Sequence, residues 1–123
     1  MLDHVELAVA DLATASAFYD RALRPVGVEV VFTHSSGLSL GYGAEGQPHF
    51  WITQGPPLTG FLHVAFRADD RASVDAFHRE AIAAGGRDNG PPGLRPHYDP
   101  DYYAAFVFDP DGHNVEAVCR APA

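Results

Sequence analysis

The feature that most constrains this chain is that its two halves repeat. A shift of 59 residues lays Asp3–Leu23 over Leu62–Ile82, so that His4 meets His63, Val5 meets Val64, Asp11 meets Asp70, Phe18 meets Phe77 and Ala22 meets Ala81. Leu7 with Phe66, Thr14 with Ser73 and Leu23 with Ile82 are conservative pairs in the same alignment. An alanine-rich helix can match itself by composition, but composition does not explain the paired His-Val and Asp positions. The chain therefore reads as a duplicated module, the first about residues 1–55 and the second about 60–121, with the seam near Gly55-Pro56-Pro57.

Each copy opens on a strand. In His4-Val5-Glu6-Leu7-Ala8-Val9 the apolar positions 5, 7 and 9 share one face, and His4 and Glu6 share the other. In Phe61–Arg67, Leu62, Val64 and Phe66 share a face and His63 lies opposite. Amphipathic helices follow, over Leu12–Leu23 and Ala72–Ala84, with Asp11 and Asp70 placed to cap their first amides. The first helix runs into Arg24-Pro25 and the second stops at Gly85-Gly86. Further strands are expected at Val26–Thr33, Gly37–Tyr42, His49–Gln54, Tyr103–Phe108 and His113–Arg120, with a Gly-, Pro- and Asp-rich connection from Arg87 to Asp101. The expected fold is α+β, with helices on one sheet face and the other face free to line a cavity.

Composition narrows the chemistry. All eight basic residues are arginine, against 16 acidic ones, for a net charge of −8. Without lysine there is no Schiff base and no lysine-tipped phosphate loop. An acidic chain without a basic stripe is not expected to bind nucleic acid. No apolar run reaches the roughly 20 residues that a helix needs to span a bilayer. No export signal is visible and Cys119 is the single cysteine, so a reducing cytoplasm and a packed thiol are expected.

The alternation also isolates a chemical set. Glu116 sits between Val115 and Ala117 in a strand that should be buried, where a lone carboxylate loses several kcal/mol of hydration unless paired or metal-bound. His4 and His63 hold equivalent places in the two modules, so a two-fold arrangement of the modules brings them together. Two imidazoles and a carboxylate form a ligand set for catalytic zinc or non-haem iron, with open positions left for water and substrate. The bland alternative is a hydrogen-bonded His–Glu cluster without an ion.

With its repeat, the two histidines and Asp109-Pro110-Asp111-Gly112-His113-Asn114-Val115-Glu116, the chain resembles the vicinal oxygen chelate superfamily over nearly its whole length. That superfamily includes glyoxalase I, extradiol dioxygenases, fosfomycin-resistance transferases and bleomycin-resistance proteins. The resemblance implies two tandem βαβββ modules forming a cup-shaped, glyoxalase-like mixed sheet, and a homodimer. It also implies one divalent ion, zinc, nickel, manganese or iron, held by His4, His63 and Glu116. Such an ion binds adjacent oxygens of a small substrate and acts as a Lewis acid, which makes a lyase or isomerase the leading expectation. A non-catalytic, bleomycin-resistance-like binding protein is the alternative, to which the acidic charge would bring a cationic ligand, and a dioxygenase is the second alternative.

The sequence departs from the glyoxalase I pattern at Trp51, which stands where that family commonly carries a fourth ligand, and from the fosfomycin enzymes in having no lysine. Glu6, His49 and His97 are the candidates for moving protons. Trp51, Arg95, Tyr98 and Tyr103 are the candidates for contacting substrate, three of them in or beside the 87–102 segment, whose other reading is a plain surface loop. His34, His78 and His113 are expected to be ordinary polar residues.

Overall fold

A computed structural model describes residues 1–123. The elements run β1 (Val5–Val9), α1 (Leu12–Leu23), a 3-10 turn (Arg24–Val26), β2 (Glu29–Thr33), β3 (Ser39–Ala44) and β4 (Gln47–Gln54). The second copy follows as β5 (His63–Arg67), α2 (Arg71–Ala83), β6 (Arg87–Leu94), β7 (Tyr103–Phe108) and β8 (Asn114–Cys119). Each module builds its own four-stranded mixed sheet, in the orders β1-β4-β3-β2 and β5-β8-β7-β6. The first strand of each module pairs in parallel with the last, and the remaining pairs are antiparallel.

The repeat in the sequence is a repeat in packing. Ala15 and Val74, Phe18 and Phe77, and Ala22 and Ala81 are fully or almost fully buried equivalents on α1 and α2. Arg21 on α1 donates to Glu80 on α2 at 2.7 Å, and these too are equivalent positions, paired across the pseudo-two-fold. Residues of both modules share one core, and Phe50 meets Phe66 edge to face at 5.3 Å where β4 approaches β5. At the helix starts, Asp11 accepts from Thr14 N at 3.1 Å and Asp70 from Ser73 N at 2.7 Å. Hydrogen bonds from Thr14 and Ser73 hold both carboxyls below the usual range, so these caps weaken only in acid.

Two expectations need correction. The Arg87–Asp101 connection contains β6, an edge strand whose register slips between Asp88 and Gly90 and again between Gly90 and Gly93. Pro91 and Pro92 fall inside the second slip, on an edge where no further neighbour needs their amides. The strand expected from Val26 begins at Glu29, because Pro25 fixes a 3-10 turn that ends at Gly27 with φ of 78°.

Gly86 sits where α2 hands over to β6, and a Cβ there would meet Phe18 Cε1 at 2.6 Å, Ala81 O at 2.9 Å and Phe108 O at 3.1 Å. Two of those neighbours are backbone and cannot swing away. Gly86→Ala is therefore expected to destabilise the fold by about 1–3 kcal/mol in urea unfolding, the range of overpacked cores. A wild-type midpoint would show that the contact relaxes without cost.

Candidate functional site

Alternation along β5 and β8 puts Val64, Phe66, Val115 and Ala117 against the helical layer. His63 and Glu116 take the opposite face, the face predicted to be free. Their side chains meet, His63 Nε2 lying 2.8 Å from Glu116 Oε1. Glu116 is 2% exposed and His63 is 32% exposed, so the pair spans from the protein interior to solvent. The second carboxylate oxygen of Glu116 accepts from the hydroxyl of Tyr102. Burial, and then the bond to Glu116, push the Tyr102 phenol up to about 12, which keeps it a proton donor to the carboxylate. The His63 ring stacks on Phe106 at 6.0 Å. Together with Tyr98 and Arg120 these residues line a cleft of about 380 Å³.

The first module builds a second cleft, of about 490 Å³, lined by Asp3, His4, Glu6, His34, Ser39, Gln47, Pro48 and Trp51. Here Nδ1 of His4 is 2.7 Å from Asp3 Oδ1, which leaves Nε2 of the ring free. The bond to His4 lowers the Asp3 carboxyl. The parallel registers make the two clefts comparable rung by rung. Glu6 is opposite Trp51 in the first sheet, as Ala65 is opposite Glu116 in the second. Trp51 therefore occupies the place of Glu116, and the carboxylate of the first module stands one strand over, at Glu6. The second-module cleft offers His63 and Glu116, and the first offers His4 and His34 with Asp3 and Glu6.

The structure brings together His63 and Glu116, and places His4 with Glu6 and Trp51 in the other cleft. His49 Nδ1 donates to Asp3 O at 2.9 Å, and His49 shares with His63 an apolar groove at the seam between the sheets. His97 packs at a tilt against Tyr98 at 4.1 Å, outside the residues that line the His63 cleft, whereas Tyr98 lines it.

Two substrate-contact expectations change. Tyr103 lies one residue out of phase with Phe106: it packs toward the core and α2, with its hydroxyl on Asp75 at 2.6 Å and Arg71 over its ring. Tyr102 takes the place facing the cleft. Arg95 donates to Gly93 O and Pro91 O at 2.8 Å each, with its guanidinium carbon 5.4 Å over the ring of Phe106, and the arginine that lines the cleft is Arg120, which sequence reasoning did not single out.

His113, expected to be an ordinary turn residue, is 3% exposed and bonded through both ring nitrogens, to Asp109 Oδ2 at 3.2 Å and Leu58 O at 3.0 Å. Asp109, Asp111 and His113 bring ligand-type atoms within 4.8 Å of one another. Their donor chemistry does not suit an ion, because both Asp109 oxygens and both His113 nitrogens already have partners: Asp109 also accepts from Tyr19, Asp111 N and His113 N. The His63–Glu116 pair suits one better. Each Glu116 oxygen has a single partner where Asp109 has four in all, and His63 Nε2 and Glu116 Oε1, 2.8 Å apart, already stand near the spacing of two ligands of one ion at about 2.0–2.2 Å.

The family model for the Glyoxalase/Bleomycin resistance protein/Dioxygenase superfamily matches residues 1–117. A glyoxalase/bleomycin resistance protein from Albidiferax ferrireducens superposes with a TM-score of 0.83 at 32% identity, covering 98% of this chain and 99% of its own. Two more distant structures share the fold. The fosfomycin resistance protein FosX of Listeria monocytogenes, in complex with Mn(II) and a dihydroxypropylphosphonic acid, has a TM-score of 0.71 at 22% identity over 96% of this chain and 88% of its own. Lactoylglutathione lyase of Agrobacterium tumefaciens has a TM-score of 0.68 at 22% identity over 97% and 92%. No curated protein matches.

Proposed function

This chain belongs to the Glyoxalase/Bleomycin resistance protein/Dioxygenase superfamily, and on that premise we propose that it is a divalent-metal-dependent lyase or isomerase acting on a small substrate with vicinal oxygens. The observation that carries this reading is the buried Glu116 carboxylate facing His63 Nε2 at 2.8 Å with Tyr102 on its other oxygen. A bound divalent ion would supply Lewis acidity toward adjacent substrate oxygens. His63 and Glu116 would hold it from one side and His4 from the other.

The expected ligands His4, His63 and Glu116 divide between the two clefts, so the reading includes a homodimer in which the first-module cleft of one chain faces the second-module cleft of its partner. An exposed apolar margin supports this: Leu2 and Phe61 are 79% and 88% exposed, and Leu2 borders the seam groove with Val5, Leu62 and Val64. Glu6 has no hydrogen-bond or ion-pair partner within the chain and shares a face with His4. It is the group best placed to take a proton from bound substrate. Tyr102 keeps Glu116 oriented, and Tyr98 and Phe106 would exclude water from one wall.

Protein purified without chelator is expected to carry about one ion per chain by elemental analysis, from among zinc, nickel, manganese and iron. Metal-free protein whose melting point rises with a flat ligand, regardless of chelator, would instead establish a binding protein of the bleomycin-resistance kind. Trp51, packed edge to face on Phe32 at 5.5 Å where the second module has its carboxylate, is the feature that favours that second reading.

A further inference from the structure

We propose that the cleft beside His63 and Glu116 selects an organic carboxylate, and that Arg120 supplies the charge that recognises it. The proposal names the substrate class for the site described above and takes from that reading only the location of the cleft.

Three observations carry it. First, Arg120 lines the cleft, with its guanidinium carbon 4.8 Å above the ring of Tyr102, the residue that bonds Glu116. That cation–π contact restrains the guanidinium, which reduces the ordering that an incoming carboxylate must impose. Second, the N–H groups of Arg120 make no hydrogen bond or ion pair within the chain, unlike those of Arg95 and Arg21, which are committed to Gly93, Pro91 and Glu80. A planar donor fork without a partner matches the two oxygens of a carboxylate. Third, Arg67 and Arg120 together flank an adjoining cleft of about 300 Å³, in which Asp69 is the one acid.

These two clefts set Arg67 and Arg120 against Glu116 and Asp69, an even balance where the net charge of −8 by itself favours a cation. Acidic side chains gather instead around the first-module cleft, at Asp3 and Glu6. Glu116 shares the cleft, but its two oxygens are held by His63 and Tyr102 rather than by Arg120. Phe106 and Tyr98 give the rest of the cleft an aromatic wall. The ligand that fits is a carboxylate on an apolar, preferably flat, body.

The test compares phenylacetate, phenylacetamide, phenethylamine and benzylphosphonate by calorimetry and ligand-observed NMR on the full chain, both metal-loaded and chelator-treated. Phenylacetate is expected to bind at least about tenfold more tightly than phenylacetamide and phenethylamine. Arg120→Gln should bring the acid down to the level of the amide without changing the amide, and Arg120→Lys should restore part of the preference. A phosphonate preferred over the acid would replace carboxylate by phosphonate and overturn the assignment. So would an acid no tighter than its amide, including the case in which neither binds, or a preference that survives Arg120→Gln. One ion per chain without acid preference sinks this inference and leaves the metal reading standing. Acid preference in protein that takes up no metal does the reverse.

Discussion

Asp109→Ala is expected to cost about 3–5 kcal/mol of folding stability, the range for stripping one partner from a buried charged network. Asp109 is the hub of such a network. Its Oδ1 accepts from the amides of Asp111 and His113 at 2.9 Å each, shaping the turn between β7 and β8. Its Oδ2 accepts from the Tyr19 hydroxyl at 2.5 Å and faces His113 Nδ1 at 3.2 Å. Tyr19 belongs to α1 in the first module and Leu58, bonded to the far side of His113, belongs to the linker. One carboxylate therefore ties both modules and their connection together.

Burial first, and then the Asp109 charge, push the Tyr19 phenol far up, so the hydroxyl stays a donor at any pH the fold survives. Removing the carboxylate leaves a buried hydroxyl, two amides and an imidazole without their acceptor, each an unsatisfied group costing about 1–3 kcal/mol before relaxation. Chemical denaturation at neutral pH measures the effect, and thermal unfolding should show a melting point lower by roughly 10 °C or more. Asp109→Asn keeps an acceptor for the amides and should cost less. If Asp109→Ala proves nearly neutral, the modules are held by their apolar core and the Arg21–Glu80 pair without need of this network. Metal content should be unchanged in Asp109→Asn, because the partners around Asp109 leave no oxygen for an ion.

What the sequence made legible follows from distance along the chain. The helices, their aspartate caps and the two-faced β1 and β5 depend on local periodicity, and the repeat supplied a second reading of each. Phe18 with Phe77 and Ala22 with Ala81 came through as core for that reason. β6 was hidden because Pro91, Pro92 and the flanking glycines oppose strand propensity, and only its edge position tolerates them. Tyr102 and Tyr103 are adjacent, and choosing between them needed the β7 register, which sets Phe106 against Glu116.

The clamp around Asp109 joins positions 90 residues apart, beyond any pattern in a window. Arg120 closes the expected strand His113–Arg120 in phase with Glu116, so alternation put it on the cleft face, but its place at the strand end drew no attention to it. The most consequential gap concerned the sheets. The pattern showed that His4, His63 and Glu116 share the face away from the helices. How the two sheets sit relative to each other is decided by the packing of α1 on α2 and Phe50 on Phe66, and that packing puts the three expected ligands in two clefts.

That separation yields the sharpest test of the proposed site. His4→Ala and Glu116→Gln should each lower metal affinity by at least about a hundredfold, since loss of even an orienting neighbour costs up to that much. Each homodimer alone would then purify nearly metal-free. If the site forms between chains, unfolding and refolding an equal mixture produces heterodimers in which one site carries both lesions and the other carries neither. Random pairing makes half the dimers mixed, so metal content should return to about a quarter of the wild-type value.

Sites closed within one chain give no recovery, because every chain retains its own lesion. The same mixture of His63→Ala with Glu116→Gln is the control. Those two side chains share a cleft in one chain, so no pairing of subunits can reunite them, and their mixture should stay empty under either geometry. Recovery in the control would mean that refolding, rather than complementation, restored the ion. Recovery in neither mixture, with wild-type protein fully loaded, would return His4 to a role within its own module and dissolve the dimeric site.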